Sequence, residues 1–135
     1  ASDVYKRQVD FSGKDLNGAD FENCKFYHCT FDNASLVNCN LQNALFSNCS
    51  LYNATAEEAE LQNARFFSCN LAKAFFTHSN FKEAVLKSCQ TTSSSFMNCC
   101  IENIALEETD LPNDEMFNSE LDWIKNDIPD FEPNM

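Results

Sequence analysis

The chain has 135 residues, enough for one domain with a sizeable core, and 21 acidic against 9 basic residues give it a formal net charge of −12. That balance excludes the basic face that direct binding to nucleic acid or to anionic lipid demands. No apolar run approaches the roughly 18 residues of a membrane span and no signal-peptide core is present. With only two glycines and three prolines, a loop-rich or disordered chain is excluded as well, and the expectation is a cytoplasmic single domain.

Residues 1–8, ASDVYKRQ, lack repeat character and look like translated adaptor sequence or a disordered lead-in, so they are set aside from the fold. Residues 9–111 carry a period of five. From Phe11 to Leu111 every fifth residue is Phe or Leu except Ala56, Thr91 and Ile101, and two residues before each stands Ala, Cys or Ser in 17 of 21 cases. An α-helix would scatter positions five apart around its circumference, because each step of five turns by about 500° at roughly 100° per residue. A flat strand would send them to alternate faces. A chain that buries the same two positions every five residues must turn a corner each time, and four such sides close a square coil that stacks into a solenoid.

Twenty residues then make one coil, which sorts the sequence into columns. Cys29, Cys49, Cys69 and Cys89 stack directly above one another. Seven of the eight cysteines share the small-residue slot with Ala, which marks them as small buried groups in a reducing compartment. In-register parallel side chains suit a disulfide poorly. His28 and His78 fall at solvent-facing positions away from that column, so no metal site is expected. An outward column of Asn23, Asn43, Asn63 and Asn103, interrupted by Glu83, is expected to form an amide ladder.

The stretches ADFEN (19–23), ASLVN (34–38), CNLQN (39–43), AELQN (59–63) and CNLAK (69–73) resemble the A(D/N)LXX motif of pentapeptide repeat proteins. The resemblance covers about three quarters of the chain in unbroken register. It implies an all-β fold, a right-handed quadrilateral β-helix of about five coils, roughly 25 Å long at β-structure spacing.

After Leu111 the register stops, and residues 112–135 are expected to hold a helical cap and an acidic tail. Pro112, Asn113 and Asp114 read as a helix start and Pro129 as a stop. Phe117, Leu121, Ile124 and Ile128 recur at helical spacing, with Met116 and Trp123 alongside. A solenoid's last coil exposes an apolar end that needs a cap. Phe117, Leu121, Trp123 and Ile124 either cap only or also form a homodimer interface, as the resemblance to quinolone-resistance members implies.

The charge is uneven. Residues 101–135 hold eleven acids and one base, Lys125, whereas residues 1–100 hold ten acids and eight bases. On two neighbouring faces the outward acids are Asp15, Asp20, Glu22, Glu57, Glu58, Glu60, Glu83 and Glu102, opposed by Lys82. Glu107, Glu108, Asp110, Asp114 and Glu115 make the C-terminal end acidic. Another face carries Lys25, Arg65 and Lys87, with an outward apolar row of Tyr27, Leu45, Phe67 and Val85.

No phosphate loop, nucleophile elbow or zinc spacing is present, and no enzyme, cofactor or metal is expected. Two functions remain open. An acidic ridge can imitate the phosphate rails of duplex DNA and enter a basic DNA-binding cleft. The resemblance supplies candidate targets, DNA gyrase or topoisomerase IV on one side and the CRISPR effectors blocked by phage proteins on the other. Alternatively, the apolar row serves a general interaction scaffold.

Overall fold

The computed structural model describes residues 4–112 and 115–127. Its strands are β1 (Tyr5–Arg7), β2 (Lys25–Tyr27), β3 (Leu45–Ser47), β4 (Arg65–Phe67), β5 (Val85–Lys87), β6 (Cys99–Cys100), β7 (Ala105–Glu107) and β8 (Met116–Phe117), followed by α1 (Glu120–Asp127). Strands β1 to β5 and β7 stack in parallel, in the order β1-β2-β3-β4-β5-β7, as the first face of a four-sided right-handed β-helix. The register advances twenty residues per coil: Phe26 pairs with Phe46, and Phe46 with Phe66. The other three faces touch through single bridges at the same spacing, such as Thr30 to Ser50, Ser35 to Thr55 and Asn40 to Glu60. Six strands on one face make about six turns, rising about 24 Å from β1 to β7 at the interstrand distance.

One coil more than the period suggests comes from the N-terminus. Tyr5–Arg7 lie in the segment read as a lead-in, yet they pair in register with Lys25–Tyr27. Lys6 therefore occupies the column of Phe26, and that first rung leaves Phe11, Leu16 and Phe21 only half-buried. From Phe26 to Phe96 the inward residues are fully enclosed except Thr91, and the last coil opens again, with Ile101 and Leu111 half-buried and Leu106 exposed. Phe26, Phe46 and Phe66 stack with ring centroids 4.9 and 4.7 Å apart, and Phe76 stacks on Phe96 at 5.0 Å. Such pairs add to simple area burial.

The corners are set by backbone geometry. On three faces the amide after each corner returns to the central carbonyl three residues back, as Ala34 N to Phe31 O at 3.0 Å and Ala44 N to Leu41 O at 3.1 Å. The fifth residue of each repeat has positive φ, Asn33 at 62° and Asn43 at 61° among them, which is the arrangement of a type II turn. The column of Asn23, Asn43, Asn63 and Asn103 is thus explained by left-handed backbone, the conformation Asn tolerates best after Gly. A side-chain amide ladder is formed instead by Asn53 Nδ2 donating to Asn33 Oδ1 at 2.8 Å.

The eight cysteines are buried free thiols. In the stacked column Cys49, Cys69 and Cys89 donate to the carbonyls of Phe26, Phe46 and Phe66 at 3.3, 3.2 and 3.3 Å. The ladder is thereby tied into the backbone of the preceding coil.

The C-terminal segment departs from the helical reading. Met116 and Phe117 form a strand paired with Cys99 and Cys100, a register of seventeen rather than twenty. Phe117 O accepts Ile101 N at 2.8 Å. The unpaired edge of the fifth coil captures these residues before the chain turns helical, and Met116 packs against the core. The helix starts only at Glu120, capped by Ser119, whose Oγ accepts Asp122 N at 3.0 Å. Asn113, Asp114, Ile128 and Pro129 lie outside the described residues.

Candidate functional site

Two faces of the square carry the acids, and they meet at one corner. The third face is centred on Leu36, Ala56 and Phe76, the fourth on Leu41, Leu61 and Phe81. Between them Ala59 is buried and its amide donates to Ser79 Oγ at 3.0 Å, which pins the backbone from which Glu58 and Glu60 project. Glu57, Glu58, Glu60 and Glu83 are exposed along this corner and the fourth face. Glu60 Oε2 accepts Gln62 Nε2 at 2.6 Å.

At the N-terminal end the acids are tied to their own turns. Asp15 accepts Asn17 N at 3.0 Å, and Asp20 accepts Glu22 N at 3.1 Å. Asn40 Nδ2 bridges Asp20 and Glu22 at 3.2 and 3.3 Å. On the second face Asp10 is held below the usual carboxylate range by the hydroxyl and amide of Ser12. Lys14 stands in an inward slot of the period but is exposed in the incomplete first coil, so Lys82 is not the only base on these faces.

Glu102 has a different role from the rest of the ridge. Its Oε1 accepts the first helical amide, Glu120 N, at 2.9 Å, and its Oε2 lies 3.3 Å from Lys82 Nζ. The Glu120 amide first, then Lys82, holds its carboxyl below the ordinary range. Lys82 also reaches Glu120 at 3.2 Å, and Glu120 and Glu102 together push its ammonium upward. These three residues fasten α1 to the fourth face. The Lys82–Glu102 pair follows the twenty-residue period, but its tie to Glu120 was not legible because the helix lies outside that period.

The helix brings Trp123 to the acidic corner. Asn38, Glu58, Glu60, His78 and Trp123 line a groove of about 500 Å³. The Trp123 indole nitrogen is buried with no hydrogen-bond partner among the described residues, and His78 Nε2 lies 3.4 Å from Asn98 Nδ2. Leu121 and Ile124 stand outward, 62% and 40% exposed, while Phe117 belongs to β8.

The acidic C-terminal end is dispersed. Glu107 pairs with Lys87 at 3.7 Å on the first face. Glu108, Asp110 and Glu115 are exposed on the first, second and third sides, and Asp114 lies outside the described residues.

The apolar row is a correction. Leu45 is buried at 8% exposure, and Tyr27, Phe67 and Val85 are half-buried. Lys25 and Arg65 flank Leu45 in register. Tyr27 stacks on Tyr5 at 5.7 Å. The exposed large apolar side chains of the coil are instead Tyr5, Tyr52, Phe75, Met97 and Leu106; Tyr52, Phe75 and Met97 are legible as large apolar residues in outward slots, whereas Leu106 is an inward residue left open by the last coil. A second groove of about 500 Å³ runs over the thiol column and is lined only by uncharged residues and His28.

A sequence profile described as a pentapeptide repeat region matches residues 3–76. The chain belongs to the pentapeptide repeat family. Among solved structures, a pentapeptide repeat protein (Rfr23) from the cyanobacterium Cyanothece is 22% identical, with a TM-score of 0.50, over 84% of each chain. A thylakoid-lumen member from Arabidopsis thaliana is 23% identical over 78% of this chain and 70% of its own, with a TM-score of 0.43. A trypsin-treated form of QnrB1, a plasmid-mediated fluoroquinolone resistance protein, is 16% identical over 84% of this chain and 89% of its own, with a TM-score of 0.45. No curated protein matches. The likeness to the Cyanothece protein bears on the fold alone.

Proposed function

We propose that the protein is a non-enzymatic, acidic DNA mimic that occupies the DNA-binding cleft of a nucleic-acid enzyme and blocks access of DNA. The observation that carries this reading is the convergence of exposed Glu57, Glu58 and Glu60 on one straight corner of a rigid rod. The first face, by contrast, carries Lys25, Arg65 and Lys87. Glu57, Glu58 and Glu60 lie within four residues of a single coil, so their spacing is held by the backbone. A basic cleft would meet a preorganised cluster of charge, which raises the association rate and fixes orientation. The family resemblance nominates DNA gyrase or topoisomerase IV and CRISPR effector nucleases as the two target classes, with the cytosol of a bacterium as the place of action. A homodimer through the outward Leu121 and Ile124 would lengthen the rod.

Competition decides it. The protein should displace duplex DNA from its target, with affinity falling steeply as salt rises. Charge reversal of Glu57, Glu58 and Glu60 to Lys should abolish displacement while leaving the fold intact. Unchanged displacement by that variant would sink the reading. The exposed Tyr52, Phe75 and Met97 support a second reading, a scaffold that binds a partner through apolar contact; binding of that kind is insensitive to salt.

A further inference from the structure

The six-stranded first face ends at β7, whose Ala105, Leu106 and Glu107 are all exposed. Each earlier rung is closed by the one that follows it. The amides of Asn48, Ser68 and Ser88 donate to Phe67 O, Lys87 O and Glu107 O, each at 2.9 Å. The equivalent amide of Glu108 has no further rung to reach among the described residues. The inward column is open at the same place, with Leu106 39% exposed and Ile104 and Leu111 half-buried. The helix does not cover this end, because Lys82, Glu102 and Glu120 fasten it to the fourth face. A free strand edge beside an open apolar slot is a template for one more strand.

Charge decides what kind of strand fits. Glu107 lies beside Lys87 in register and pairs with it at 3.7 Å, so an arriving rung meets the other side of that carboxylate. Glu108 and Asp110 are exposed nearby. A second copy brought end to end would set these acids against their own equivalents, and like charges facing each other on neighbouring strands are destabilising. The chain's own residues 128–135, IPDFEPNM, carry two acids, no base, and two prolines, which cannot donate to a ladder. A basic strand meets neither obstacle.

We propose that the β7 edge receives an extended segment of a protein partner, paired in parallel, with an apolar residue over Leu106 followed by Lys or Arg beside Glu107. β5 meets these requirements from the other side, where Leu86 pairs with Leu106 and Lys87 with Glu107. This surface is separate from the acidic corner, and the proposal stands or falls independently of the DNA mimic.

The sequence of β5 with its flanks, AVLKS (84–88), is therefore the probe. Fluorescein-labelled AVLKS should bind saturably by anisotropy, and AVLES about fivefold more weakly, the range of a cross-strand charge pair. In the Glu107→Lys variant that order should reverse. Glu107 is exposed, and circular dichroism checks that the coil is retained. N-methylation of the probe's valine amide should abolish binding. That amide is the counterpart of Ala105 N, which donates to Ala84 O of the preceding rung at 2.9 Å. The E58Q/E60Q variant should bind AVLKS unchanged, since its charges lie on another part of the rod. Absence of saturation, indifference to N-methylation, an unreversed order in Glu107→Lys, or an equal loss in E58Q/E60Q overturns the proposal. So does a dimer in sedimentation that AVLKS fails to bind, because the edge then belongs to a second copy.

Discussion

The fifth residue of each repeat makes a sharp test of what holds the coil. Positions ending in 3 or 8 from Gln8 to Glu108 all have positive φ, and eleven of them are Asn or Gly. Glu83 is one of the misfits, at φ 60°, exposed and without a side-chain hydrogen bond or ion pair among the described residues. A left-handed residue with a Cβ costs roughly 1–2 kcal/mol, and Asn recovers part of that through local hydrogen bonding. Glu83→Asn should therefore stabilise the protein by about 0.5–1 kcal/mol, raising the melting midpoint by about 2–4 °C for a chain of this size. Glu83→Gly removes the same strain but adds unfolded-state entropy of about 0.4–1 kcal/mol, so the two effects nearly cancel. Glu83→Gln removes the charge alone and should change little. Asn63→Ala, at φ 62°, should lose about 1 kcal/mol. Thermal and denaturant unfolding of the four variants reads these differences. If Glu83→Asn and Asn63→Ala both leave the midpoint unmoved, or Glu83→Gln matches Glu83→Asn, backbone conformation does not select this slot.

Phe46 is fully buried between Phe26 and Phe66, so Phe46→Ala should cost about 3–5 kcal/mol. Phe11→Ala, in the half-buried first coil, should cost about half as much; equal losses in denaturant melts would show that the first coil is as tightly packed as the interior. Burial pushes the thiols of Cys24, Cys29, Cys39 and Cys100 above their ordinary range, and contact with Cys49 and Cys89 does the same to Cys69. Iodoacetamide labelling read by mass spectrometry should accordingly stay slow in the folded protein and become complete once it is denatured. Acid should release the helix. Glu102 is held below the 4.5 of a free glutamate by the Glu120 amide and then Lys82, and a carboxyl depressed in the folded state contributes stability that is present above its unfolded pKa and lost as the pH falls through the folded one. Trp123 emission should shift as the pH drops below that range, and the shift should flatten in Glu102→Gln.

The period of five was enough to define the coil because each repeat repeats the same physical problem. A buried Phe or Leu, a small neighbour and a left-handed corner recur without insertion, so the inward column and the thiol ladder were both readable. Its failures occur where the chain stops solving that problem. Tyr5–Arg7 carry no inward apolar residue, because Lys6 takes that place, yet they add a strand to an edge that offers free backbone groups. Leu45 looks exposed by column and is buried, with the longer Lys25 and Arg65 beside it in register. The spacing of Phe117, Leu121 and Ile124 looks helical, but the open edge of β6 takes Phe117 into a strand, and the residue that turns inward from α1 is Trp123.

That last difference changes where function should be sought. A ridge of acids read by column alone would be a uniform surface from Asp15 to Glu102. In the folded chain, Asp15 and Asp20 are tied to their own turns, and Glu102 is spent on fastening the helix. The carboxylates left to meet a partner are Glu57, Glu58, Glu60 and Glu83, and Glu58 and Glu60 line a groove with the only indole in the molecule. A cluster of charge can recognise any basic cleft. The C-terminal helix sets Trp123 beside that cluster, so the acidic corner and the cap form one surface.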